Sequence, residues 1–232
     1  MTRLPARTGA DVHLGDAFAL PGCPLCRERA RVGGAYLESI LAESVNDVPF
    51  RAALDAGRGF CRRHAGAVLA ADRRRSGTLG AAILLRATLV TRLRDLESVH
   101  EAGGRTRARK SAEAARPPAC PACGREADWE EGVVEGLVRL AEDPAWAEAT
   151  ATAPFCLEHL VALRDRRTVP TWWPAIERRQ LERLRDLRDR LERFAHASAH
   201  DRRHLQTEDQ VASVDEAAGL LGGSPGTTGD AR

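Results

Sequence analysis

All six cysteines of this 232-residue chain, and two of its seven histidines, fall into one pattern that is used twice. Cys23-x2-Cys26 is followed after 34 residues by Cys61-x2-His64, and Cys120-x2-Cys123 is followed after 32 residues by Cys156-x2-His159. The flanks agree as well: GCPLC matches ACPAC, GFCRRH matches PFCLEH, and no cysteine is left over. Eight residue types repeated at these spacings read as an internal duplication. Any fold the chain adopts must keep these thiols and imidazoles in usable geometry.

The chemistry of the repeat is that of a metal site. Zinc takes four N/S ligands in a tetrahedron, and a Cys-x2-Cys turn offers two thiolates from one tight loop. Cys-x2-His places ligands at i and i+3, on one face of the first turn of a helix. A helix N-terminus also favours thiolate over thiol. Taken copy by copy, Cys23, Cys26, Cys61 and His64 form one Cys3His set, and Cys120, Cys123, Cys156 and His159 form the other. Four protein ligands close the coordination sphere, which is the structural rather than the catalytic pattern, and two zinc ions per chain are expected. Gly124, after the second cysteine of ACPACG, is expected to take the left-handed conformation of a metal knuckle; Arg27 stands at that position in the first copy. Arg27, Arg62, Arg63 and Arg125 are the cations available to offset a site of three thiolates and one Zn²⁺.

Other uses of the cysteines remain beside this one. A thioredoxin-like dithiol needs a βαβ surround that the sequence lacks, and it leaves Cys-x2-His unexplained. Iron–sulfur clusters are the minor metal alternative, although their usual cysteine runs are spaced differently. A zinc–thiolate switch released by oxidation uses the same ligands as a structural staple.

Around the ligands the apolar spacing is helical. Leu37, Ile40, Leu41 and Val45 run up to a break at Asn46-Asp47 and Pro49; Trp129, Val133, Val134, Leu137 and Leu140 run up to Asp143-Pro144. Phe50 and Trp146 are equivalent apolar plugs beyond the breaks. Each Cys-x2-His opens a further helix, and a long amphipathic helix follows in both copies, over 77–100 and from Pro174 to about 204. The fold class is therefore all-α: two pseudo-twofold-related repeats, each built around a Cys3His zinc knuckle. The expected domains are 1–100 as first repeat, 101–119 as flexible linker, 120–204 as second repeat and 205–232 as disordered tail, with a short helix over DQVASVDEAAGLL. The linker carries five basic and two acidic residues and ends in Pro117-Pro118. Packing of the two long helices would bury Leu85, Leu89 and Leu96 near Leu184, Leu187 and Leu191.

Composition excludes more than it assigns. Thirty-five basic residues meet 33 acidic ones for a net charge of +2, so the strongly basic footprint of a nucleic-acid binder is absent. Lys110 is the only lysine, an Arg- and Ala-rich bias that a GC-rich genome tends to write. The N-terminus lacks a signal-peptide apolar region and no run spans a bilayer, so a cytoplasmic location without membrane contact is expected. There, paired cysteines point to metal rather than to disulfides. His196, His200 and His204 align at i, i+4 and i+8 but have no carboxylate partner, and they read as solvated surface. Trp172-Trp173 reads as a hydrophobic plug at a helix start. No P-loop, G-x-G-x-x-G, G-x-S-x-G or H-E-x-x-H occurs, so no catalytic or organic-cofactor residue is assigned and the chain leans away from being an enzyme.

The succession FALPGCPLC, helix, GFCRRH, long helix, CPAC and FCLEH resembles an uncharacterised bacterial family, a domain of unknown function whose members pair C-P-x-C with F-C-x-x-H. The resemblance covers about residues 12–198 and implies a mostly helical cytosolic protein, with no activity to transfer. The reading is a zinc-binding structural or interaction protein that uses its amphipathic helices for a protein partner or for self-association. A nucleic-acid-binding regulator and a thiolate-based redox or metal sensor are the alternatives.

Overall fold

The computed structural model of the chain describes residues 4–75, 77–165, 170, 172–198 and 207–222. Among them are eleven helices and no strand. Contacts divide the chain into two compact units: a central unit, Arg31–Trp129, and a terminal unit made of Met1–Ala30 with Glu130–Arg232. This is not the division into residues 1–100 and 120–204 that the repeat suggests. The terminal unit joins the start of the first copy to most of the second.

Helix starts follow local chemistry. α1 (Gly9–Phe18) is opened by a capping box in which the Thr8 hydroxyl accepts from the Asp11 N–H and the Asp11 carboxylate accepts from the Thr8 N–H. α2 (Pro24–Ser39) and α7 (Pro121–Leu140) begin with proline, whose fixed φ and missing N–H suit a first turn. α2 runs into one π-turn at Ile40–Ser44. Asp47 and Asp143 then cap α3 (Val48–Ala56) and α8 (Pro144–Thr152), at the breaks expected from sequence. α4 (Arg62–Arg74) and α9 (Leu157–Arg164) start directly after Cys61 and Cys156, which occupy N-cap positions in nearly identical extended conformations.

In the central unit α5 (Leu79–Glu101) packs on α3, α4 and α6 (Gly104–Ala115). The core includes Leu37, Ile40, Leu54, Phe60, Val68 and Leu84. Asp72, itself buried, accepts from the Ala81 N–H at 2.7 Å and so satisfies a first-turn donor of α5. The segment expected as a flexible linker is largely α6. Its C-terminal carbonyls at Glu113, Ala114 and Arg116 accept from the Arg58 guanidinium at 2.7–3.1 Å, and Arg58 also pairs with Asp95 at 2.7 Å. A single side chain thus supplies the donors that helix ends need, and that requirement was invisible in the linker's composition.

In the terminal unit α10 (Trp173–Ala197) packs on α8 and α11 (Glu208–Gly222). Trp146 is fully buried, sits edge-on to Phe18 at 5.5 Å and donates from Nε1 to the Pro5 carbonyl at 2.7 Å. Phe50, its expected counterpart, is only half-buried in the central unit. Trp173 is buried at the start of α10, as a plug. The Gln180 amide donates to the carbonyls of Ala151 and Ala153, at the end of α8. α11 falls on DQVASVDEAAGLL and is tied to α10 by Glu216, which accepts from Arg183 and Arg190 at 2.7 and 2.6 Å. The rest of the expected tail, and His200 and His204, lie outside the described residues.

The expected burial of the long-helix leucines is corrected in part. Leu187 is buried, but Leu89 and Leu96 are 67% and 62% exposed. α5 turns Ala81 and Leu84 inward instead.

Candidate metal centres

The eight expected residues gather into two groups of four, but not within the repeats. Cys23, Cys26, Cys156 and His159 meet in the terminal unit; Cys61, His64, Cys120 and Cys123 meet in the central unit. Each Cys-x2-Cys of one copy therefore joins the Cys-x2-His of the other, which corrects the copy-by-copy assignment. Local spacing makes each half-site. It contains nothing that chooses between two equivalent halves, and helix packing makes that choice.

In both groups the histidine Nδ1 faces the three sulfurs. His159 Nδ1 lies 3.4, 3.2 and 3.0 Å from the Sγ atoms of Cys23, Cys26 and Cys156. His64 Nδ1 lies 3.4, 3.3 and 3.3 Å from those of Cys61, Cys120 and Cys123. The sulfurs of Cys26 and Cys156 are 3.5 Å apart in the first group, and those of Cys61 and Cys123 are 3.6 Å apart in the second. Zinc–ligand bonds near 2.3 Å (sulfur) and 2.0 Å (nitrogen) in a regular tetrahedron would space the ligands by about 3.5–3.8 Å. The groups are thus slightly tighter than a filled tetrahedron, with the right donors and the right number of them. They fit a metal ion, and among tetrahedral metals a set of three sulfur donors and one nitrogen donor suits zinc.

Four helix N-termini build these groups. α2 and α9 open at the terminal group, α7 and α4 at the central one. The amide ends of the helices favour the thiolates that a cation requires. The expected left-handed knuckle is absent: Gly124 lies inside α7, and the left-handed glycines near the ligand groups are Gly22 and Gly59, just ahead of Cys23 and of Phe60-Cys61. At Gly59 a Cβ would also run into Thr88.

The outer contacts were missed from sequence. His64 Nε2 lies 3.1 Å from Glu126 Oε1, and Arg63 donates to both oxygens of that carboxylate. His159 Nε2 lies 3.0 Å from Glu130 Oε1, out of line for a hydrogen bond but in charge contact, and Arg29 pairs with Glu130 at 3.3 Å and with Glu158 at 3.2 Å. Each group thus carries a His–Glu–Arg sequence outward, and in the central group the hydrogen bond to Glu126 is of the kind that fixes the tautomer and orientation of a ligating imidazole. The available signal was position, since Glu126 and Glu130 follow Cys123 by one and two helical turns. Comparing the copies hid it, because their counterparts are Arg29 and Gly33. Gly33 has a reason of its own: a Cβ there would collide with the Glu126 carboxylate. Of the cations expected near the ligands only Arg63 serves this role, whereas Arg27 reaches the Pro21 carbonyl.

The ionisations in the central group conflict. Burial raises the Cys120 thiol, but hydrogen bonds from His64 and from the backbone of Cys61 and Cys123 outweigh it and bring it down to about 6. Burial, the adjacent Cys61 sulfur and the Cys120 charge push Cys123 up to about 12. Hydrogen bonds from Cys23 and Cys26 hold Cys156 far below the usual thiol range. Burial disfavours the imidazolium at both histidines, yet Cys120 and Glu126 raise His64 to about 9, and Cys156 and Cys23 raise His159 to about 10. In the central group the Cys120 thiolate thus suppresses the Cys123 thiol, in both groups the cysteines hold a proton on the imidazole, and a bound divalent cation would oppose both effects.

The groups differ in access. All four members of the terminal group are buried, whereas Cys61 and Cys123 of the central group are half-exposed. A model for a family of unknown function matches residues 10–196. No curated protein and no solved structure matches the chain.

Proposed function

This chain belongs to the DUF6062 family, whose function is unknown, and from its own two ligand groups we propose that it is a zinc-binding structural and interaction protein with one closed Cys3His site in each unit. The supporting observation is the convergence on each histidine Nδ1 of three thiols from two helix N-termini far apart in sequence, with a carboxylate at the histidine's outer nitrogen. A full set of four protein donors leaves no position for substrate, so the metal's role is to join segments. Cys23 and Cys26 are tied to the α9 start 130 or more residues away, and Cys61 and His64 to the α7 start. Such a clamp makes metal binding part of folding. No described helix is long and apolar enough to cross a membrane.

Elemental measurement on purified protein tests this reading: two zinc ions per chain are expected. One metal per chain, or iron with labile sulfide, would overturn it. The half-exposed Cys61 and Cys123 favour one second reading, a thiolate sensor centred on the central site. Mild peroxide would then release one zinc and modify those two cysteines before any of the terminal group.

A further inference from the structure

We infer that the exposed face of α5 is the seam of a parallel, two-fold coiled coil formed with a second copy of this chain. On α5, Leu79, Leu89, Leu93 and Leu96 are 73, 67, 51 and 62% exposed, while Ala81 and Leu84 turn into the central core. The exposed positions follow a frame. With Leu79, Arg86, Leu93 and His100 at a, and Ala82, Leu89 and Leu96 at d, every a and d position from one end of the helix to the other faces water. This unbroken 3-4 spacing is the 3.5-residue period of a supercoiled pair, and at about 1.5 Å per residue it runs for about 32 Å. A helix face left to solvent is normally polar, and consecutive exposed leucines at 89, 93 and 96, with Leu79 further along the same face, form a patch that monomers seldom expose.

The charges beside the seam select the occupant. In this frame Arg92 is a g residue and Glu97 the e residue five positions on, and among the described residues neither has an ion-pair or hydrogen-bond partner. In a parallel pair, Arg92 of each chain reaches Glu97 of the other, giving two ion pairs by symmetry. Leu89, Leu93 and Leu96 then stack on their own copies. An antiparallel pair with Leu89 against Leu93 would instead set Arg92 against Arg92. Arg86 supplies one charged a layer, which lowers affinity and fixes the register. The seam needs no folding of its own, because α5 is already held by α3, α4 and α6. The pairing goes beyond the metal reading and does not rest on it.

Sedimentation equilibrium of the full chain from roughly 1 to 100 µM tests the pairing. The expected species has twice the 25.2 kDa chain mass. Leu89→Glu with Leu96→Glu should weaken the dimer tenfold or more, with unchanged helical circular dichroism and metal content, since both side chains point to water. Glu97→Arg should also weaken it, and adding Arg92→Glu should restore it. A monomer at the highest concentration, or a dimer indifferent to the leucine changes, would overturn the seam. Failure of the double charge reversal to recover the dimer would overturn the parallel register. Retained metal in each variant separates loss of pairing from loss of the sites.

Discussion

Paired serine substitutions turn the cross-copy assignment into a count of metal ions. Cys26→Ser and Cys156→Ser strike one group, because their sulfurs are 3.5 Å apart across 130 residues of chain. The double variant should keep one metal of two, and its second substitution should add little to the first, since both remove the same site. Cys26→Ser with Cys61→Ser strikes both groups and should leave none. Under copy-by-copy pairing the two outcomes exchange places. The stability cost follows from loop closure, which scales as (3/2)RT ln n: about 4.3 kcal/mol for the 130-residue separation of Cys26 and Cys156, and about 3.7 kcal/mol for the 62-residue separation of Cys61 and Cys123. Each is a large share of the roughly 5–15 kcal/mol by which domains are stable. Either site's loss should therefore melt the unit it closes at clearly lower temperature, and by similar amounts. Elemental measurement beside calorimetry reads both quantities. Zero metal in the Cys26/Cys156 variant with one metal in the Cys26/Cys61 variant would refute the arrangement of the groups.

Two further outcomes follow from contacts the sequence did not disclose. Glu126→Gln and Glu130→Gln should each weaken metal binding by about 10–100-fold at the histidine they touch, read by competition with a chromophoric chelator, while leaving two sites at saturation. Docking of α11 should depend on acid. Burial opposes ionisation of Glu216, but Arg190 and Arg183 outweigh it and hold the carboxyl below its ordinary value. A lowered carboxyl contributes its full stabilisation above its ordinary value, near 4.5, and loses it as pH falls through the folded-state value. Carbon chemical shifts of α11 between neutral pH and about pH 3 should show undocking only in acid. Glu216→Gln should weaken docking at neutral pH by about 1 kcal/mol, and docking that persists unchanged in that variant would refute the role of the pairs.

Much of this protein is local, and what is local was legible. The helical period, the proline and aspartate starts, and the placement of Cys61 and Cys156 at the mouths of α4 and α9 depend on residues within one or two turns. The eight cysteine and histidine positions that cluster, and α11, emerged for the same reason. The linker reading failed because the carbonyls ending α6 are satisfied by Arg58, more than fifty residues earlier. Glu126 and Glu130 were hidden because their partners lie on α4 and α9. Above all, a Cys-x2-Cys and a Cys-x2-His are half-sites whose spacing sets their own geometry and says nothing about which opposite half completes them. Two equivalent pairings satisfy the same ligands with the same number of bonds, and the choice falls to the energy of burying the helices that carry them. In this chain Leu25 and Phe155 are buried in the terminal unit beside one Cys3His group, and Phe60 and Ala122 in the central core beside the other.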